Sequence, residues 1–592
     1  MGIKRKAEEK KMSMSKNIAR LAVTAGLTAA LSFGGVMAPV TMAFAEGATA
    51  TTNSITINKN NDNGNVKYNA YQIFKADVVD RTDGSGKVVS NVEWAVDATT
   101  QSAIIEAIKA DSKYETSDPK LPDKATAQDV ADWLTKNVTD TTAETVVNKD
   151  HLLNKIAGIV KNGVAATGSS FLAGDSFAVP NDENNSPKTG YYLFLTDESS
   201  LGTPDAAKKN TGTSPIFAVV GGSNVTVTEK TSIPTVDKQI LDDTKDKTAA
   251  AAEESDWKNV GDAWIGQVID YKLTGTVANN IASYDKYQYE FQDHLSVGLK
   301  ADKDSIVVAI NGKKIDANNY TATVTDTTDT TNKKTGQDLK VSFTDLKAAA
   351  NSVGETLDGT SKVVVTYQAQ LTSDAKYTAA GNTNEVKLVY SNDPMSTGTG
   401  TSESKKVADY VFGFNITKTD PNDSSANLVA GFKVKMIKEG ATKEVAKWLK
   451  QDGSFTDDES QAYTFETTGT NNTVSIPGLV AGTYLISESK TPAGYNTIAD
   501  FEITVTPTYD PATGKLTNLK VTDTSDMVTT DLDKKVDSTK IPVTIQNKKG
   551  SGLPLTGLNG VTFTWIAGGA VLCIGVAHLI RSRKQAEESE QE

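Results

Sequence analysis

Short runs with apolar residues at every second position fill most of this chain, and they leave little choice of fold. In Asn384-Glu385-Val386-Lys387-Leu388-Val389-Tyr390, for example, Val386, Leu388 and Tyr390 share one parity. A β-strand turns alternate side chains to opposite faces, so such a run buries one face and wets the other. Runs of this kind between turn residues predict a mainly β protein of tandem β-sandwiches. The first part of the chain is mixed. Strands are expected at Ser54–Asn58, Asn69–Phe74 and Tyr191–Leu195. Helical periodicity marks Gln101–Lys109, Ala127–Asn137 and Asp150–Lys161, the last stopped by Gly163. The expected domains are 46–231 (α+β), 232–405 and 406–548. Pro234 opens the second, and the Ser/Thr/Gly-rich stretch Ser396–Ser404 reads as a linker or loop at its end. Lys548 to Gly552 reads as a short flexible lead out of the third.

Several polar residues carry the parity of the apolar face. Lys238 lies between Val236 and Ile240, and Lys418 shares the face of Phe414 and Ile416. Asp293 goes with Phe291 and Leu295, and Glu488 with Tyr484 and Ile486. Asn384 goes with Val386, and Asn547 with Val543 and Ile545. Each of two domains thus offers an inward lysine near its start, an inward acid in its middle and an inward asparagine near its end. A buried lysine is costly unless paired. Burial also lowers its pKa towards a neutral, nucleophilic amine and raises that of an acid, which can then donate to the amide carbonyl. Attack on the asparagine with loss of ammonia would leave a Lys–Asn isopeptide bond, helped by proximity in the folded core. A structural ion pair is the plainer reading of one such lysine; the same order in two domains favours the chemistry.

Composition narrows the alternatives. The chain has 61 Lys+Arg against 74 Asp+Glu, a net charge of −13. The charges are scattered, which argues against nucleic acid as a partner. Its one cysteine, Cys573, lies in an apolar segment, so disulfides cannot staple the domains. Three histidines, His151, His294 and His578, form no metal-ligand spacing, and nothing marks a Ser-His-Asp triad. No metal or cofactor is expected. The Asp-rich run 420–427 lacks the spacing of a calcium loop and reads as a solvated turn.

The ends are the most specific part. A basic stretch, an apolar run from Leu21 to Val40 and Ala43-Phe44-Ala45 read as a signal peptide over 1–45, cleaved between Ala45 and Glu46. Near the other end, Leu553-Pro554-Leu555-Thr556-Gly557 precedes an apolar segment over 561–580, then Arg581, Arg583 and Lys584. That segment is long enough for a transmembrane helix, and the basic cluster holds the tail inside. A second Pro-x-Thr-Gly, Pro187 to Gly190, runs into a strand-like segment and reads as a turn.

Residues 549–592 resemble the cell-wall sorting signal of sortase substrates. The resemblance implies cleavage between Thr556 and Gly557, with Thr556 passed to an amine as a thioester. Tyr484-Leu485-Ile486-Ser487-Glu488, followed by Thr491-Pro492-Ala493-Gly494-Tyr495, resembles the E-box of CnaB-type, Ig-like repeat domains. Pro234-Thr235-Val236-Asp237-Lys238 resembles the opening of the isopeptide-forming domain of major pilins. Ala70-Tyr71-Gln72-Ile73-Phe74 and Val92-Glu93-Trp94 are similar to those pilins' N-terminal domain. The implied protein is a structural, non-enzymatic shaft subunit (major pilin) of a Gram-positive pilus, secreted and wall-anchored, supporting adhesion. Asp293 and Glu488 would promote the bonds Lys238–Asn384 and Lys418–Asn547. Lys230, placed opposite Val225 and Val227 and therefore expected in solvent, would be the amine joined to Thr556 of the next copy; Lys208 and Lys209 are the fallbacks. Implied partners are a pilus-specific and a housekeeping sortase, further copies of the chain, peptidoglycan and minor pilins. A wall-anchored monomeric adhesin or minor pilin is the nearest alternative; a secreted enzyme is the more distant one.

Overall fold

A computed structural model describes residues 52–59, 63–82, 86–138, 146–201, 209–423, 425–426, 428–468, 472–530 and 538–550. The signal peptide with Ala45 and Glu46, Lys208, the pentapeptide with Thr556, and the apolar segment 561–580 lie outside the described residues. Among the described residues no helix is long and apolar enough to cross a membrane.

The first domain is built on an antiparallel sheet of Lys87–Trp94, Lys67–Asp80, Gly190–Thr196 and Ile216–Val220. Its centre, Gly190–Thr196, is buried at every position because both faces are covered. Tyr191, Leu193 and Leu195 meet the helices Ala98–Lys109, Ala127–Asn137 and Leu152–Gly163. Tyr192 and Phe194 meet a small sheet in which Ser54–Asn58 pairs with Ser176–Ala178 and Val225–Thr228. The helices start where caps permit: Asp97 accepts from Thr100 N, and Thr126 with Asp129 forms a capping box. The last helix begins later than its periodicity predicts. His151 is its N-cap, accepting from Leu153 N, and Gly163 is its final residue. Pro187 bridges Asn181, so the turn falls just before the expected one, at 183–185, and Pro187 to Gly190 leads into Gly190–Thr196.

The second domain packs two sheets face to face. One runs Trp257–Lys258, Val236–Leu241, Val268–Thr276, Lys362–Leu371, Leu299–Ile310 and Lys313–Lys314. The other runs Val260–Asp262, Lys405–Tyr410, Asn382–Ser391, Tyr289–Ser296, Lys334–Phe343 and Thr321–Thr328. Two features correct the sequence reading. Within the supposed linker, Thr399–Thr401 pairs with Asn382–Ser391. Lys405–Tyr410 also pairs with Asn382–Ser391, so the sheet runs past residue 405.

In the third domain, Thr473–Leu479, Phe412–Thr419, Lys540–Gln546 and Val528–Thr530 form one sheet. The facing sheet has Gly431–Glu439, Gly482–Lys490 and Phe501–Tyr509 at its centre. Phe412–Thr419 lies parallel to Lys540–Gln546, with Lys418 opposite Ile545, so the domain's entry and exit strands are neighbours. The chain beyond is not a free lead at its start. Asn496 N donates to Lys548 O, Gly550 N donates to Gly494 O, and Lys549 pairs with Asp420 and Asp423 at 3.6 Å.

Candidate functional site: two buried lysine–acid–asparagine clusters

Parity places all six side chains inside. In the third domain Lys418 projects from the entry strand, Asn547 follows the exit strand, and Glu488 faces them from Gly482–Lys490 in the opposite sheet. Lys418 and Asn547 are 0% exposed. Lys418 Nζ donates to Asn547 Oδ1 and lies 3.2 Å from Glu488 Oε1. Asn547 Nδ2 donates to Glu488 Oε1 and Oε2 at 3.0 and 3.1 Å, and to Asn496 O at 3.0 Å. Glu488 is itself fixed by Ile498 N at 3.0 Å and by the Thr491 hydroxyl at 3.3 Å. Its carboxyl group therefore touches both the amine and the amide nitrogen. Burial pushes the Lys418 amine down to about 8, against the opposing pull of Glu488.

In the second domain the same residue types lie on opposite sheets. Lys238 comes from Val236–Leu241; Asp293 and Asn384 come from Tyr289–Ser296 and Asn382–Ser391. Lys238 Nζ donates to Asp293 Oδ1 and Oδ2, both at 2.6 Å, in a pair whose side chains are wholly buried. Burial pushes Lys238 down to about 8, opposed by Asp293 and Asp409. Asn384 is less directly engaged. Its Nδ2 donates to the Tyr367 hydroxyl at 2.6 Å, and its Oδ1 has no partner. Thus the structure brings Lys238 to Asp293, and Asn384 to Tyr367, which joins the two pairs.

Residues 413–520 match SpaA: Prealbumin-like fold domain. The matched stretch holds Lys418 and Glu488; Asn547 lies past it. No curated protein matches the chain. Many structural neighbours are major pilins of Gram-positive bacteria. The T6 backbone pilin of serotype M6 Streptococcus pyogenes has a TM-score of 0.46 and 13% identity, covering 85% of this chain and 100% of that one. The Corynebacterium diphtheriae major pilin SpaA gives 0.41 and 14%, covering 84% and 100%. The full-length major pilin SpaD from the same organism gives 0.43 and 14%, covering 84% and 98%. At such identities and TM-scores, function has to be argued from the residues.

Three residues escaped the sequence reading. Tyr367 and Tyr271 stack at 5.2 Å between ring centroids, and Lys238 Nζ lies 5.4 and 5.2 Å from the two rings. Asp409, 1% exposed, accepts from the Tyr271 hydroxyl, and burial pushes it up to about 7. Tyrosine on an inward parity looks like ordinary core. Asp409 does share parity with Val407, but it falls where the second domain is expected to give way to the third.

Lys230 departs from expectation. The strand Val225–Thr228 ends before it, and Lys230 is half-buried instead of standing in solvent. Its backbone N–H donates to Thr213 Oγ1 at 2.7 Å and its carbonyl accepts from Ser214 N at 3.2 Å. Burial lowers its amine pKa. Its neighbour Glu229 is buried, accepting from the Tyr68 hydroxyl at 2.5 Å and from Asn63 Nδ2 at 3.2 Å. Lys209 is more open and pairs with Glu403 at 3.2 Å. His294 lies on the opposite face of its strand from Asp293 and contacts Asp338 at 2.7 Å near the surface.

Proposed function

We propose that the chain is the shaft subunit of a sortase-assembled covalent pilus on a Gram-positive surface, with its second and third domains welded internally by Lys–Asn isopeptide bonds. The observation that carries this reading is the mutual contact of Lys418, Glu488 and Asn547 in a dry core. Neutral Lys418 Nζ attacks Asn547 Cγ, the Cγ–Nδ2 bond breaks, and ammonia leaves. Glu488, within 3.2 Å of the amine and 3.0 Å of the amide nitrogen, moves the proton between them and ends protonated. The reaction runs once per domain, consistent with a structural protein and not an enzyme. Intact-mass analysis of the mature chain tests it. The expected mass is short by two ammonia molecules, and a full mass would refute the welding.

The pH dependence is specific. A neutral amine beside a protonated acid holds as many protons as the ion pair, so the two forms interconvert without exchange with solvent. Above about 8 the pair has lost the one proton it shares. In freshly synthesised chain the third-domain bond should therefore form at a level rate just below pH 8, then slow by about tenfold per pH unit above it. A rate that climbs steadily through pH 8 would mean that the free amine alone limits the reaction.

Half-burial of Lys230 favours the second reading, a wall-anchored monomer, because a joining amine has to enter a sortase site. The pilus reading is retained because the pentapeptide, apolar segment and basic cluster supply an acyl donor, and the welded domains suit a chain under tension.

A further inference from the structure

The two clusters differ in how the acid reaches the leaving group. Glu488 reaches both the amine and the amide nitrogen by itself, whereas among the described residues no hydrogen bond joins Asp293 to Asn384. Aspartate is one methylene shorter than glutamate. The gap is filled by the Tyr367 hydroxyl, which lies 3.1 Å from Lys238 Nζ, 2.6 Å from Asp293 Oδ2 and 2.6 Å from Asn384 Nδ2. Among the described residues it is the one hydroxyl that contacts the nucleophile, the acid and the leaving group.

We propose that Tyr367 is a catalytic residue of the second domain, relaying the proton from Asp293 to the departing Asn384 nitrogen. This rests on the reading of Lys238 and Asn384 as the bonded pair. Lys238 Nζ forms its bond to Asn384 Cγ as the Cγ–Nδ2 bond breaks. Tyr367 gives its hydroxyl proton to Nδ2 and takes one from Asp293, and Asp293 takes one from the attacking nitrogen. Ammonia departs, the new amide keeps one hydrogen, and Asp293 and Tyr367 both finish protonated. No tyrosinate has to accumulate, which suits a phenol whose pKa is held well above its ordinary value by burial and by Asp293. The Tyr271 ring stacked against Tyr367 holds the hydroxyl in place, while Tyr271's own hydroxyl is engaged by Asp409.

Tyr367→Phe removes the relay and keeps the ring. Peptide mapping of freshly made mature chain should find the Lys418–Asn547 bond complete and the Lys238–Asn384 bond forming at least about tenfold more slowly than in wild type. Tyr271→Phe keeps the stacked ring and the Tyr367 hydroxyl, so it should slow the Lys238–Asn384 bond far less than Tyr367→Phe does. Equal speed in Tyr367→Phe and wild type overturns the relay, and so does equal slowing in both variants, which would indicate lost packing. Should Tyr367→Phe fail to fold, a fluorotyrosine at position 367 keeps both ring and hydroxyl. Its more acidic proton should change the bonding rate, and an unchanged rate overturns the proposal. A wild-type chain without the Lys238–Asn384 bond would instead sink the welding reading itself.

Discussion

A Glu488→Ala chain is expected to fall short of its own sequence mass by one ammonia and not two, and to lose about 15–40 °C of melting temperature in its third domain. The residues that would be joined are 129 apart in sequence. A crosslink closing a loop of that order contributes about 4–5 kcal/mol by restricting the unfolded chain. For a domain of this size each kcal/mol moves the melting point by about 2–4 °C. The substitution also leaves Lys418 buried without its counter-ion, and breaking a buried pair costs about 3–5 kcal/mol by itself. Asn547→Ala separates the two effects. It removes the bond and keeps the Lys418–Glu488 pair, so its loss should be the part owed to the weld. The second domain should be untouched in both variants and serves as the internal control. A Glu488→Ala chain that still falls short of its own sequence mass by two ammonia molecules and melts like wild type would show that the buried carboxyl group promotes no bond.

The two clusters show what a single sequence discloses. The six inward residues were legible because each sits in a run whose apolar parity is unambiguous, such as Phe414, Ile416 and Lys418, and a lysine there contradicts its own burial. Parity carries no information about which strands meet, so the contact of Lys418 with Asn547 and the separation of Lys238 from Asn384 were not readable. Tyr367 was invisible for the opposite reason: an inward tyrosine among Val363, Val365 and Ala369 violates nothing. Lys230 was misplaced because alternation was extended two residues past the end of Val225–Thr228, where the pleat no longer applies. The composition of Ser396–Ser404 suggests a linker or loop. Thr399–Thr401 nevertheless pairs as an edge strand, and Lys405–Tyr410 behind it makes Asn384's strand an inner one and not the last. A weld there would bridge the two sheets, whereas the third domain's weld would join parallel neighbours, its entry and exit strands. Tension arriving at Phe412–Thr419 would then cross to the exit strand through a covalent path and spare the hydrogen bonds of both sheets.

Cells carrying Lys230→Arg are expected to lose the ladder of high-mass species that survives boiling in detergent, while Lys209→Arg cells keep it. The joining step needs a neutral amine to attack the carbonyl carbon of Thr556 and release the sortase thiol. Arginine keeps the charge and the length but does not deprotonate, so it separates nucleophilicity from surface contact. Burial lowers the Lys230 amine pKa and so enlarges its neutral fraction near physiological pH, whereas Lys209 is held by Glu403 at 3.2 Å. The same burial has a cost: a half-buried amine has to be presented to the enzyme. Its backbone is pinned by Thr213 and Ser214, and Glu229 beside it is locked to Tyr68 and Asn63. Loosening this turn should therefore alter the joining rate even with the lysine intact. Glu229→Gln keeps the shape and weakens the hydrogen bond from Tyr68, and it should change ladder length without changing the internal mass deficit. A ladder that persists in Lys230→Arg cells moves the junction to another amine. A wild-type surface with no ladder at all leaves two welded domains on a monomer, the reading that the burial of Lys230 already favours.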